Sequence, residues 1–223
     1  MALGIDTPLV MAVDWTPRYG IIMFFMWWSM MIAMMLPSAA PMILLYTVIE
    51  QRGSERAGRP VRLLPTVGFV SGYLALWAAF SAIAVALQWG FERIGVLSPV
   101  KMNSTNFIFA GMTLLIAGVY QLSPLKQTCL KHCQGPISFL THHWRNGVSG
   151  AFRMGMKHGL FCVGCCWGLM AILFFGGIMN LYWIIGLAVL VMLEKFVPDR
   201  RQRYLTGAVF SVWGLSFLIR GLT

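Results

Sequence analysis

The run His158 to Leu193, HGLFCVGCCWGLMAILFFGGIMNLYWIIGLAVLVML, contains 36 residues without a single Asp, Glu, Lys or Arg. A helix crosses the hydrocarbon core of a membrane with about 20 apolar residues, so this run is too long for one crossing. Gly176, Gly177 and Asn180 place turn-forming residues near its middle. That spacing predicts two short helices, Gly159 to Gly176 and Met179 to Phe196, joined by a tight hairpin. The hairpin decides which side of a membrane every later residue occupies.

The composition of the chain agrees with a membrane reading. Of 223 residues 58% are hydrophobic and 11% charged, against about 25% charged in soluble domains. The mean hydropathy is +0.73. Four further runs lack acidic and basic residues: Tyr19 to Ile49, Leu63 to Phe91, Met102 to Leu125 and Tyr204 to Ile219. With the split run they predict an all-α integral membrane protein, a single polytopic domain over 1–223. Its six transmembrane helices fall at about 19–49, 63–91, 104–123, 159–176, 179–196 and 204–220. The first is expected to be kinked by the interior Pro37 and Pro41. Its uncharged length far exceeds the apolar core of a signal peptide, about 7 to 15 residues. Arg203 and Arg220 can snorkel to opposite interfaces and extend the last.

Charge orients these spans. The chain carries 17 Lys and Arg against 7 Asp and Glu, a net charge of +10. Four basic residues lie in Glu50 to Arg62, five in Lys126 to Lys157 and four in Lys195 to Arg203, all on one side. Only Arg18, Arg93, Lys101 and Arg220 lie on the other. The positive-inside rule then makes the basic side cytoplasmic and both termini external, as in a multi-pass protein of a bacterial inner membrane. One crossing in place of the hairpin would even out the two sides. The basic excess is thereby assigned to lipid headgroups, and nucleic acid is not expected as a partner.

The segment 124–158 is expected to be a Cys/His-rich basic loop at the cytoplasmic side, with short helices that carry signals of their own. Ser123 before Pro124 reads as an N-cap and first helical position, and Gly135-Pro136 as a stop, predicting a helix Pro124 to Gln134. Ser149 is expected to cap a further helix that continues into the fourth span.

All five cysteines and all four histidines fall between residues 129 and 166. Five cysteines placed at random would share so narrow a window about 0.4% of the time. On the reducing side of a membrane, clustered thiols are more often metal ligands or redox groups than a disulfide framework. Cys129, His132 and Cys133 stand at i, i+3 and i+4 on the short helix. His158, Cys162 and Cys166 recur every fourth residue on the next, with Cys165 between and Met154 and Met170 one step beyond each end. Successive steps of four drift by about 40°, so this ladder lines a path and does not face one ion. Gly164 and Gly168, on the opposite face, allow a helix to pack closely behind it. His142 and His143 are weaker candidates, since adjacent side chains diverge by about 100°.

The first span adds Met30, Met31, Met34 and Met35, two i,i+4 pairs among 16 methionines. Packing alone accounts for such a stripe in many helices, because methionine fills irregular gaps. Taken with the thiols it favours Cu(I), the soft ion that thiolate and thioether both suit. Zinc fits any four thiolates and imidazoles. The carboxylates sit at span ends or in loops, which disfavours magnesium, calcium or an intramembrane proton relay.

Several segments resemble a known family. They are Met30-Met-Ile-Ala-Met-Met-Leu-Pro37, Tyr120-Gln-Leu-Ser-Pro-Leu-Lys126 with Cys129 and Cys133, His143-Trp-Arg145, Arg153-Met-Gly-Met-Lys-His-Gly159, Cys162-Val-Gly-Cys-Cys-Trp167, Gly176-Gly-Ile-Met-Asn-Leu181 and Glu194-Lys195. Together they look like the bacterial predicted metal-binding integral membrane proteins, a domain of unknown function. The resemblance spans nearly the whole chain and implies a polytopic metal-binding protein with no enzymatic activity attached.

The residues thus support a metal-binding membrane protein, with Cu(I) taken at the thiols and relayed along the methionines. The partners expected are the bilayer, the metal ion and either a soluble metallochaperone or another membrane subunit. Two alternatives stay open: a membrane thiol-disulfide oxidoreductase using Cys162, Cys165 and Cys166, and a zinc-binding or assembly subunit of a metalloenzyme. No nucleophilic triad or phosphate loop is present, so no catalytic residue is assigned.

Overall fold

A computed structural model describes residues 15–56, 58, 60, 63–98, 102, 104–197 and 199–222. The expectations for Arg59, Arg62, Lys101 and both chain ends lie outside these residues. The described residues form helices: α1 Pro17–Arg56, α2 Leu64–Arg93, α3 Phe107–Leu122, α4 Pro124–Gln134, α5 Pro136–His143, α6 Gly147–Ala171, α7 Leu173–Gly176, α8 Leu181–Phe196 and α9 Arg200–Leu222. Four stretches are long and apolar enough to cross a membrane: α1, α2, α6 with α7, and α9. The pair α3 and α4, bent by 65° between them, would make a fifth. The six expected spans include α3 and α8, which at 16 residues each are about 24 Å long and short of a bilayer core.

Local chemistry explains where several helices begin. Ser123 caps α4, its hydroxyl accepting the Lys126 N–H at 3.2 Å, with Pro124 at the first helical position. Gly135-Pro136 ends α4 as expected but also starts α5, because proline's fixed φ suits a first turn as well as it ends one. The helix expected from Ser149 begins earlier, with Asn146 preceding Gly147. A turn lies where Gly176, Gly177 and Asn180 predict one: Gly177 adopts φ +96°, and Asn180 caps α8 by accepting the Trp183 N–H at 3.4 Å.

Glycine seams set the closest packing. On α2 and α6, a Cβ at Gly72 would overlap the Phe152 carbonyl and one at Gly155 the Phe69 carbonyl. Gly111 and Gly118 of α3 meet Gly214 and Gly207 of α9 in the same way. Helices lacking side chains at the contact approach until backbones touch. Gly164 and Gly168 behave as expected, facing Cys129 of α4 and Tyr120 of α3.

One polar tie joins four helices. Lys126 of α4 and Glu194 of α8 form an ion pair of 2.6 Å, their side chains 0% and 3% exposed. Gln121 of α3 accepts from Lys126 and donates to Glu194, and it also donates to Thr206 of α9 at 3.0 Å. Gln134 at the end of α4 donates to the Glu194 carbonyl at 2.7 Å. Two corrections follow to the reading from sequence. Lys126 and Lys195, counted among basic residues facing headgroups, are buried. Segment 124–158 is folded against the bundle, with Leu130, Phe139 and Leu140 in its interior.

Removing one member of this pair leaves the other charge buried alone. Lys126→Met or Glu194→Gln should each cost about 3–5 kcal/mol of stability. The double change Lys126→Met with Glu194→Leu should recover most of the loss, as read from thermal unfolding in detergent.

Candidate metal centre

Three cysteines on one stretch of α6 face four neighbouring helices. The Cys162 thiol lies 3.2 Å from the Tyr73 hydroxyl of α2 and receives a hydrogen bond from the Lys195 ammonium of α8 at 3.0 Å. The Cys165 thiol is 3.9 Å from that of Cys133 on α4. The Cys166 thiol is 3.8 Å from the Met35 sulfur of α1. Cys165 and Cys166 also donate to the same acceptor, the Cys162 carbonyl, at 3.1 and 2.9 Å. All three thiols are buried.

These distances have a chemical meaning. With metal–sulfur bonds of about 2.3 Å, sulfurs 3.8–3.9 Å apart subtend about 110–116° at a shared ion. Each pair therefore spans one edge of a trigonal or tetrahedral sulfur site. Neither is complete: among the described residues no three His, Cys, Asp or Glu side chains converge as a metal-holding group. The ladder drifts around α6, as a straight helix requires.

Lys195 is the residue that sequence reasoning missed. Its side chain is 8% exposed, and the ammonium donates to Ser38 at 2.7 Å and to Cys162. The neighbouring carboxylate, Glu194, is turned to Lys126. A buried ammonium bonded to a thiol sulfur and without a carboxylate is suited to offset thiolate charge. The signal was there in a lysine closing an apolar helix, but at a helix end it reads as a span boundary. Tyr73 and Ser38 carried no signal of their own.

The remaining candidates divide. Met35 is buried beside Cys166, Met31 and Met34 are buried in the same core cluster as the cysteines, and Met30 is half-buried against that cluster. Met154 and Met170 are buried on α6. Cys129 lies against Gly164, on a different side of α6 from Cys162. His132 does not join the Cys129 and Cys133 thiols: its ring stacks on Phe161 at 4.3 Å and its Nδ1 donates to the Thr128 carbonyl at 2.9 Å. His142 and His143 likewise use Nδ1 on the Ser138 and Phe139 carbonyls. His158 is 3% exposed, lies among Phe69, Tyr73 and Phe139, and its Nδ1 has no hydrogen-bond partner among the described residues. A buried unsatisfied nitrogen is costly, and this one stands one step of the ladder from Cys162.

Comparison with known proteins gives one match. A family model described as "PpoB2: Copper chaperone" matches residues 24–217. No curated protein and no solved structure matches the chain. The match supports a metal-binding family, a coarser statement than the resemblance drawn above.

Burial sets the reactivity of the thiols. In the folded, metal-free protein a bulky maleimide should modify Cys129 first and leave Cys162, Cys165 and Cys166 intact until the protein is denatured. Mass spectrometry of labelled peptides reads the order directly.

Proposed function

The chain belongs to the PpoB2 copper chaperone family, and we propose on that premise that it binds Cu(I) at the sulfur pairs around α6. The observation that carries this reading is the approach of Cys133 to Cys165 and of Cys166 to Met35, at 3.9 and 3.8 Å, beside a buried carboxylate, Glu194, that is already paired with Lys126. Thiolate and thioether donors favour Cu(I) over harder ions. Cys133, Cys165 and Cys166 supply thiolates and Met35 a thioether. Lys195, through Cys162, offsets the negative charge that the thiolates bring into an apolar interior. Met35, Met34, Met31 and Met30 continue along α1 as further soft donors, so the ion can pass from thiol to thioether along the bundle.

The same proposal includes the topology. α1, α2, α3, α6 with α7, α8 and α9 cross the bacterial inner membrane, and α4 and α5 lie at its cytoplasmic side. The bias of basic residues in the sequence supports this orientation. In that arrangement the thiols lie in the inner half and the methionines from Met35 toward Met23 lead outward. A soluble metallochaperone or a second membrane subunit would exchange copper with it.

A second reading draws on the same 3.9 Å approach, since Cys133 and Cys165 are close enough to form a disulfide after a small shift. The experiment separates the two. Protein purified from copper-replete cells should hold copper in a shell of sulfur ligands by X-ray absorption. Cys133→Ser with Cys165→Ser should abolish that copper, and Lys195→Met should weaken binding by about 10- to 100-fold, as lost support of a ligand commonly does. Copper absent from the purified protein, or unchanged in the double variant, would sink the proposal. Thiols protected until reduction would favour the disulfide reading, and thiols protected until chelation the metal.

A further inference from the structure

A cleft of about 510 Å³ opens where α5 hands over to α6, lined by His142, His143, Arg145, Arg153, Met154 and Lys157. Two guanidinium groups, one ammonium and two imidazoles therefore surround one opening. Among the described residues none of the three cations is in an ion pair. The walls are held in place. The Arg145 N–H donates to the Met154 sulfur at 3.2 Å, and the bare Gly150 lets the Arg145 backbone lie directly on the first turn of α6. His143 stacks on Phe139 at 4.9 Å, and with Nδ1 of both histidines committed to carbonyls it is Nε2 that has no hydrogen-bond partner among the described residues.

The floor of this cleft begins the sulfur ladder. Met154, His158, Cys162, Cys166 and Met170 follow one another at every fourth residue of α6, each no more than 3% exposed. Met154 is thus the first soft donor met from outside, and the unpartnered Nδ1 of His158 lies one step further in. A copper ion approaching by this path must pass the cations. Their field repels a bare Cu⁺ and attracts an anion, concentrating it at the opening. Cu(I) held by two thiolates carries a net charge of −1.

We infer that this cleft receives Cu(I) as a small anionic bis-thiolate complex and passes the ion to the ladder by ligand exchange. The inference rests on the copper reading above and adds the form in which copper arrives. The exchange balances without an oxidant. Copper stays Cu(I) throughout. Each bond from copper to a donor thiolate that breaks is replaced by a bond to a sulfur or imidazole of this chain. Where the new ligand is a cysteine, its proton goes to the departing thiolate, which leaves as a neutral thiol.

Two copper sources of opposite charge test it on the full chain in detergent: the anionic Cu(I) bis-glutathione complex and the cationic Cu(I) acetonitrile complex. Arg145→Gln, Arg153→Gln and Lys157→Gln combined should slow transfer from the glutathione complex at least about tenfold. The same variant should leave transfer from the acetonitrile complex unchanged or faster, with equal final copper content. Added salt should slow the wild type only with the anionic source. Arg145→Lys with Arg153→Lys, which keeps the charges, should retain most of the rate, and Arg200→Gln with Arg201→Gln should not alter it. Equal rates from the glutathione complex in the triple variant and wild type would overturn the inference. Equal slowing from both sources would overturn it too, marking a structural defect. Failure of the wild type to take copper from either source would instead overturn the copper reading itself.

Discussion

Two charges taken out of water inside an apolar bundle must find each other, and Lys126 and Glu194 do so across 68 residues of chain. Desolvating either alone is far costlier than burying the pair with Gln121 hydrogen-bonded to both side chains. The arrangement of the candidate centre depends on that requirement. Lys126 sits in the first turn of α4, so the pair ties α4 to α8, beside α6, after the bend at Ser123-Pro124. Two turns on, Cys133 then meets Cys165. On the other member, fixing Glu194 toward α4 turns the next residue by about 100°, which brings Lys195 to Cys162.

The candidate centre is therefore gathered around one helix from three others. α6 supplies three thiols, α4 a fourth, α1 a thioether and α8 an ammonium. The glycine contacts between α2 and α6 hold the cysteine turn at a set distance from Tyr73. Because these side chains come from helices far apart in sequence, their approach is an outcome of bundle assembly. The copper description of the family accords with soft donors gathered in this way.

Local features of this arrangement were readable before the structure. Helix α4 was bounded by Ser123-Pro124 and Gly135-Pro136, and the turn after α7 by Gly176, Gly177 and Asn180, because caps and turns act within a few residues. The clustering of cysteines was equally plain. What could not be read was pairing at a distance. Neither Lys126 nor Glu194 carries a mark of its partner, and both looked like ordinary residues at helix ends. The helical spacing of Cys129, His132 and Cys133 put three ligands on one short helix, yet the imidazole turned to Phe161, where stacking offered a better contact. α5 was missed because one Gly-Pro step can both end a helix and begin the next.

The Cys162 carbonyl accepts hydrogen bonds from two thiols, Cys165 and Cys166. A thiol can donate only while it keeps its proton, and a metal ligates the thiolate. An ion captured by either cysteine would therefore take that side chain from this oxygen and exchange a contact within one turn of α6 for a bond that reaches a neighbouring helix. The tie between helices would then tighten while the local one is given up.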